Sequence, residues 1–270
     1  MNEFTDEWAE AIRDYLVAQR AAGAPSTTCN TRRQHLEHLA RRVSAGPWSL
    51  SGEALVAYCG AQEWKPETRR SRRTTFRSFW SWAYATGLCE VNTALALPKV
   101  KPGQARPRPT PERVYEHALA RSDERLRLIL RLAHDAGLRR SEIAQVHSDD
   151  LFEDLTGWSL RVHGKGSKER DVPLTPRLAL ELRSLPYGWA FPGDDGGHLS
   201  PRWVGKLATN VLPDHWTLHT LRHSFGTRIY AHSDLAVAQA ALGHASPATT
   251  RIYVVVPDER IRGAVLAAAG

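Results

Sequence analysis

Leu218–Tyr230 reads LHTLRHSFGTRIY, and the fold turns on how this stretch is read. At 3.6 residues per turn, Leu221, Phe225 and Ile229 fall on one stripe, so a helix with those three facing a core is expected. His219 and Arg222 stand three apart and share another face. His219 and His223 stand four apart, a spacing that would suit zinc. The metalloprotease pattern needs Glu directly after the first His, however, and Thr220 stands there. Two more helices are expected after this one, over Leu235–Leu242 and Pro247–Tyr253.

Working back from that helix, Glu112–Ala120, Arg125–Ala136, Ser141–Val146 and Pro176–Ser184 also carry helical patterning. Trp158–Val162 and Lys168–Pro173 read as short strands flanking GKGS, a hairpin-like turn with Gly164 and Gly166. Ala96–Pro111 reads ALPKVKPGQARPRPTP, five prolines with Lys99, Lys101, Arg106 and Arg108 and no acid, an extended linker. Before it the pattern is helical throughout. Phe4–Gln19 puts Trp8, Ile12 and Tyr15 on one stripe, and Thr27–Val43 carries Leu36 and Leu39. Ser51–Cys59 opens on a Ser N-cap with Glu53 in its first turn. A fourth helix runs from Pro66 to before Gly87, with Phe76, Phe79, Trp80 and Ala83 as its apolar stripe. The expected fold is mainly α with a small antiparallel sheet. It divides into a helical domain over 1–97, a basic linker over 98–110, and a mixed α/β domain over 111–270 with a C-terminal tail helix at Ile261–Ala269.

The 270 residues carry 36 Lys and Arg against 29 Asp and Glu, a formal charge of +7 that points to a polyanionic partner. The excess is local. Basic and acidic residues number 12 and 10 before the linker and 20 and 19 after it, whereas the linker itself carries four positive charges. In the fourth helix ETRRSRRTTFR holds Arg69, Arg70, Arg72, Arg73 and Arg77, with Arg70, Arg73 and Arg77 expected on a face away from the apolar stripe. A row of guanidiniums beside a buried face suits a phosphate ridge or major groove, and Lys99 and Lys101 would track a backbone. Three widely spaced cysteines make neither a CxxC nor a disulfide framework. No apolar run approaches the ~20 residues needed to span a bilayer, and no secretory segment is read at the start. A cytoplasmic setting follows as the expectation.

Four motifs carry potential chemistry, and each alone is weak. Arg139 sits at the corner of HDAGLRRSEIAQVHSDDL, where Gly137 stops one helix. Lys165 sits between glycines in VHGKGSKERDVPL, without the Walker spacing of a P-loop. His219-x-x-Arg222 lies in the opening stretch. His244 follows Gly243 in LGHASPATTRIYVV, with Tyr253 nine residues on. In this order, AGLRRSE, GKGSKERDVPL, LHTLRHSFGT and LGHASPATTRIY resemble the tyrosine recombinase (phage integrase) family across the whole second domain. RRSRRTTFRSFWSWA resembles, less specifically, the family's core-binding module.

The resemblance implies a helical core-type DNA-binding domain followed by a tyrosine-recombinase catalytic domain. The catalytic set would be Arg139, Lys165, His219, Arg222, His244 and the nucleophile Tyr253. It implies site-specific recombination through a 3′-phosphotyrosyl intermediate, serving integration or excision of a phage or other mobile element. It also implies double-stranded DNA as substrate and a homo-tetramer on paired sites. Accessory DNA-bending or directionality proteins are possible partners. No cofactor, divalent metal or ATP is called for, since two guanidiniums can neutralise a phosphodiester and a tyrosyl ester retains the bond energy. The setting would be the nucleoid of a bacterial or phage-infected cell, with no membrane involved. Little room is expected before Phe4 for the arm-site-binding domain of larger integrases. Two alternatives stand: a chromosome-dimer or plasmid resolvase of the same family, and a DNA-binding regulator without catalysis.

Overall fold

The computed structural model describes residues 4–103, 108–164, 169–243 and 258–269. The chain forms two compact units, Met1–Gln104 and Ala105–Gly270. The fold is mainly helical with one three-stranded antiparallel sheet.

The first unit holds α1 (Asp6–Ala21), α2 (Ser26–Ala40), α3 (Gly52–Gly60) and α4 (Pro66–Ala85), then a single 3-10 turn at Thr93–Ala96. Its core is aromatic. Phe76, Phe79, Trp80 and Ala83 on α4 are fully buried, as their helical spacing predicts, and the three aromatics share a core with Trp8, Ile12 and Tyr15 of α1. Phe79 lies edge-on to Tyr15 at 5.3 Å and stacks on Trp48 at 5.7 Å. The buried indoles need acceptors. Trp8 donates to the Ala45 carbonyl at 3.0 Å and Trp80 to the Pro47 carbonyl at 3.1 Å, which fastens the α2–α3 loop to the core. Ser51 caps α3 by accepting from the Ala54 amide at 3.1 Å.

The second unit runs α5 (Glu112–Ala120), α6 (Glu124–His134), α7 (Arg140–Ala144), β1 (Leu151–Asp154), β2 (Gly157–His163), β3 (Glu169–Pro173) and α8 (Pro176–Arg183). It continues with α9 (Pro201–Thr209), α10 (Leu218–His232), α11 (Leu235–Leu242) and α12 (Asp258–Ala269). The strands lie in the order β1-β2-β3, with Leu160 opposite both Leu151 and Val172. Alternation sends Leu160, Val162 and Val172 into one core with Leu178 and Leu182 of α8 and Ile129 and Leu132 of α6. Asp123, Thr175, Ser200, Thr217 and Asp234 each cap the helix that follows with a side-chain oxygen.

Three expectations are corrected. A strand at Leu151–Asp154 and a helix at Pro201–Thr209 are present where none was read. LFED is too short and too polar to show alternation, whereas α9 carries Trp203, Val204, Leu207 and Ala208 at helical spacing behind the Ser200 cap, a legible signal that the sequence reading passed over. Ile229 is only half-buried, whereas Arg222, His223 and Ser224 are buried with Leu221 and Phe225. The start of α10 is thus enclosed nearly all round, since α6 and α11 pack against it. The helix expected at Pro247–Tyr253 lies outside the described residues.

Candidate active site

The corner between α6 and α7 builds the site. Gly137 takes φ +65°, the left-handed region that side chains avoid, and a Cβ there would lie 2.7 Å from Phe225 Cε1 and closer still to Cδ1. The turn frees the Gly137 carbonyl to accept from Arg222. Arg139 follows as the N-cap residue of α7. Glu142 reaches back to its amide at 2.8 Å and to its Nη1 at 2.6 Å. The Arg139 guanidinium remains partly exposed, with 39% of its side chain accessible.

Arg222 lies deeper, 1% exposed. It donates to the Gly137 and Leu242 carbonyls and lies 3.7 Å from Glu142 Oε2. A buried guanidinium requires such partners, and here they join the α6–α7 corner to the end of α11. Glu142 is also clamped by Arg170 of β3, through Nη1 at 3.0 Å and Nη2 at 2.9 Å. Burial alone would raise the Glu142 carboxyl. The Arg170 hydrogen bonds and charge, the Arg139 amide and Arg222 outweigh it and hold the carboxyl at about 2.

His219, one turn before Arg222, stays on the accessible side of α10 with its ring 4.7 Å from that of His223. Its pKa is lowered, first by desolvation among the walls around it and then by Arg222, Arg139 and Arg140. Its place at a helix N-terminus acts in the same direction. His223 accepts from the Arg108 amide at 3.3 Å and is lowered to about 4 by burial, His219 and Arg222. Neither imidazole is favoured as a cation at neutral pH.

Arg139 and His219 open onto a cavity of about 720 Å³ whose lining includes Arg140, Arg202 and Lys206 and, among the described residues, no carboxylate. α9 supplies the last two, so the unread helix forms one wall. The sequence reading missed Glu142, Arg170, Arg140, Arg202 and Lys206. The Glu three residues after an N-cap was a legible signal for Glu142.

Arg139, His219 and Arg222 are thus brought together. Lys165, His244 and Tyr253 lie outside the described residues. In the first unit the arginines of α4 do not share one solvent face. Arg69 donates to the carbonyls of Cys59, Gln62 and Trp64, and Arg73 to that of Leu97 at 3.2 Å. Arg72 lies over the Trp64 ring at 4.3 Å. The expected row of Arg70, Arg73 and Arg77 is corrected accordingly, because Arg73 turns toward the chain leaving the Thr93–Ala96 turn. Arg70 is exposed and paired with Glu67 at 3.1 Å, Arg77 is half-buried, and Lys99 and Lys101 are exposed.

The chain is similar to several known proteins. A profile of the Phage integrase family matches residues 191–260. A tyrosine recombinase XerC of Methylobacterium sp. (strain 4-46) is 38% identical over 96% of this chain and 92% of its own. A tyrosine recombinase XerD of Caulobacter vibrioides is 29% identical over 95% and 94%. A lambda integrase dimer bound to a COC′ core site shares the fold, with a TM-score of 0.74 at 19% identity, covering 91% of this chain and 76% of that one.

Proposed function

The chain belongs to the tyrosine recombinase family, and on that premise we propose that it breaks and rejoins double-stranded DNA at specific sites with Tyr253 as nucleophile. The supporting observation is the pairing of Arg139 and Arg222 around the carboxylate of Glu142, at the edge of a cavity whose lining among the described residues holds cations and no acid. Three guanidiniums against one carboxylate leave a local surplus of positive charge. That surplus suits the non-bridging oxygens of a phosphodiester, whose charge grows as the fifth bond to phosphorus forms.

In this mechanism the Tyr253 oxygen attacks phosphorus and its phenolic proton leaves. The 3′-phosphotyrosyl bond forms as the bond to the 5′ oxygen breaks. A tyrosine hydroxyl has an ordinary pKa of ~10 and needs both a cationic field and an acceptor. Arg139 and Arg222 supply the field. Neutral His219 is the acceptor or orienting group, consistent with its lowered pKa. Lys165 protonates the leaving 5′ oxygen, and His244 hydrogen-bonds a non-bridging oxygen. Attack by a partner strand's 5′-hydroxyl reverses the step and regenerates the tyrosine. Arg140, Arg202 and Lys206 hold the phosphates beside the scissile one, and Arg70, Arg77, Lys99 and Lys101 contact the duplex from the first unit and linker.

Four-strand exchange calls for a homo-tetramer on two sites, with α12 offered to a neighbouring protomer. Integration or excision of a phage or other mobile element, in a bacterial nucleoid and assisted by bending or directionality proteins, is one biological setting. Resolution of chromosome dimers or plasmids is the second, and the near full-length match to relatives named XerC and XerD fits it as well.

The test uses a duplex recovered from a random pool by binding to the protein, then nicked beside the cleavage point so that the 5′-hydroxyl is lost. Wild type is expected to trap covalently and Tyr253→Phe to bind without trapping. Binding by wild type with no adduct would favour the non-catalytic regulator and refute the enzyme.

A further inference from the structure

We infer that Arg170 is a positioning residue for this site: it clamps Glu142 from the core side so that one fixed carboxylate holds Arg139 and Arg222 toward the phosphate. This rests on the recombinase reading above, because the phosphate is what the two arginines are held for.

The placement begins with alternation along β3. Arg170 and Val172 stand two apart and face the same side. Val172 is buried and Arg170 keeps 14% of its side chain accessible, whereas Glu169 and Asp171 are exposed. An inward arginine on a strand needs an anion, and Glu142, 2% accessible, provides it through two parallel hydrogen bonds of 3.0 and 2.9 Å. Each carboxylate oxygen then accepts twice: Oε1 from Arg170 and the Arg139 side chain, Oε2 from Arg170 and the Arg139 amide. Arg139 from the α7 corner, Arg170 from β3 and Arg222 from α10 are the charged groups within 4 Å of Glu142 among the described residues.

A second contact ties the same side chain to the anchor of Arg222. The Arg170 stem lies against Gly243, where an added Cβ would sit 2.6 Å from Cδ and 2.9 Å from Nε. Gly243, at φ +61°, ends α11 directly after the Leu242 carbonyl that holds Arg222. Arg170 therefore braces the carboxylate that orients Arg139 and the helix end that orients Arg222. It also links both to β3.

Packing alone does not call for an arginine here. Its buried Nε has no hydrogen-bond partner among the described residues, a penalty that an apolar side chain would avoid. What an apolar residue could not do is supply the largest of the contributions that keep Glu142 ionised. Burial favours the neutral acid, and a protonated Glu142 would lose its charge-assisted hold on Arg139.

The test is single-turnover adduct formation on the nicked duplex between pH 5 and 9, for wild type, Arg170→Gln and Arg170→Lys. DNA affinity and thermal unfolding are followed alongside. Taking the variant-to-wild-type ratio cancels titration of His219, which all three share. The Gln variant's ratio is expected to fall about tenfold between pH 8 and pH 5, as a Glu142 carboxyl raised from about 2 takes up its proton, with affinity little changed. Its acid-induced loss of thermal stability is expected to begin at higher pH than in wild type. The Lys variant keeps the charge but not the fork, so its ratio is expected to be flat with pH and about tenfold low. A Gln deficit equal at every pH, or an unchanged pH profile of unfolding, would overturn the inference. If the Gln variant fails to fold, a Lys variant that cleaves at the wild-type rate would overturn it. No adduct from wild type would refute the recombinase reading itself, and the positioning role would fall with it.

Discussion

Gly137→Ala tests the geometry on which the buried arginine depends. Two costs arise. Holding an alanine at φ +65° costs about 1–2 kcal/mol relative to glycine. Its Cβ would lie 2.7 Å from Phe225 Cε1, an overlap that either ring or backbone must relieve at about 1–3 kcal/mol. Reduced freedom of the unfolded chain returns about 0.4–1 kcal/mol. The net loss is about 2–4 kcal/mol, roughly 5–15 °C for the transition of a unit of this size. Calorimetry measures it directly. Phe225→Ala in the same background separates the two costs: the double variant should lose about 1–3 kcal/mol less than the two single losses together, since the overlap is absent once the ring is removed. Adduct formation should fall further than stability alone explains, because the displaced carbonyl is the one that receives Arg222. A loss below about 1 kcal/mol, with no coupling to Phe225, would refute the reasoning.

Arg202→Ala and Lys206→Ala should each weaken binding of the selected duplex and reduce the slope of log affinity against log salt by about 0.9, while trapping at saturating protein is unchanged. Unaltered slopes would remove α9 from the DNA surface. In the first unit, His35 and His38 are both lowered to about 4, chiefly by burial and then by Arg72. A depressed histidine is protonated more readily in the unfolded chain, so the first unit should lose stability as pH falls from about 6.5 toward 4. The double variant His35→Gln, His38→Gln should flatten that part of the melting profile, and an unchanged profile would exclude both rings as its origin.

Much of this architecture is legible in the order of residues. The α4 stripe of Phe76, Phe79, Trp80 and Ala83 fixes its buried face, Ser51 marks the start of α3, and Leu235–Leu242 is bounded by Asp234 and Gly243, which cap it. Periodicity and capping are local, so they survive without tertiary knowledge. The depth of Arg222 is not local. A guanidinium three residues from an exposed histidine reads as a surface group until α6 and α11 close over it. The same holds for Arg69 and Arg73, whose carbonyl partners come from the end of α3, the α3–α4 connection and Leu97, none of which the spacing within α4 can place. Motif matching selected the cations and passed over Glu142 and Arg170. The capping spacing of Glu142 after Arg139 marks a helix start but not a site that its carboxylate organises, and β3 is too short for one inward arginine to stand out.

Within the second unit, the cavity bordered by α9 and the α7 corner carries positive potential before any substrate arrives, because among the described residues only one carboxylate is set against the guanidiniums beside it. Such a surface binds whatever small oxyanion is abundant. Sulfate or phosphate buffers should therefore act as competitors, depressing apparent activity beyond their ionic strength, and kinetic work on this enzyme belongs in chloride or organic-acid salts. A vanadate soak, conversely, offers a direct way to see where the cut phosphorus would sit.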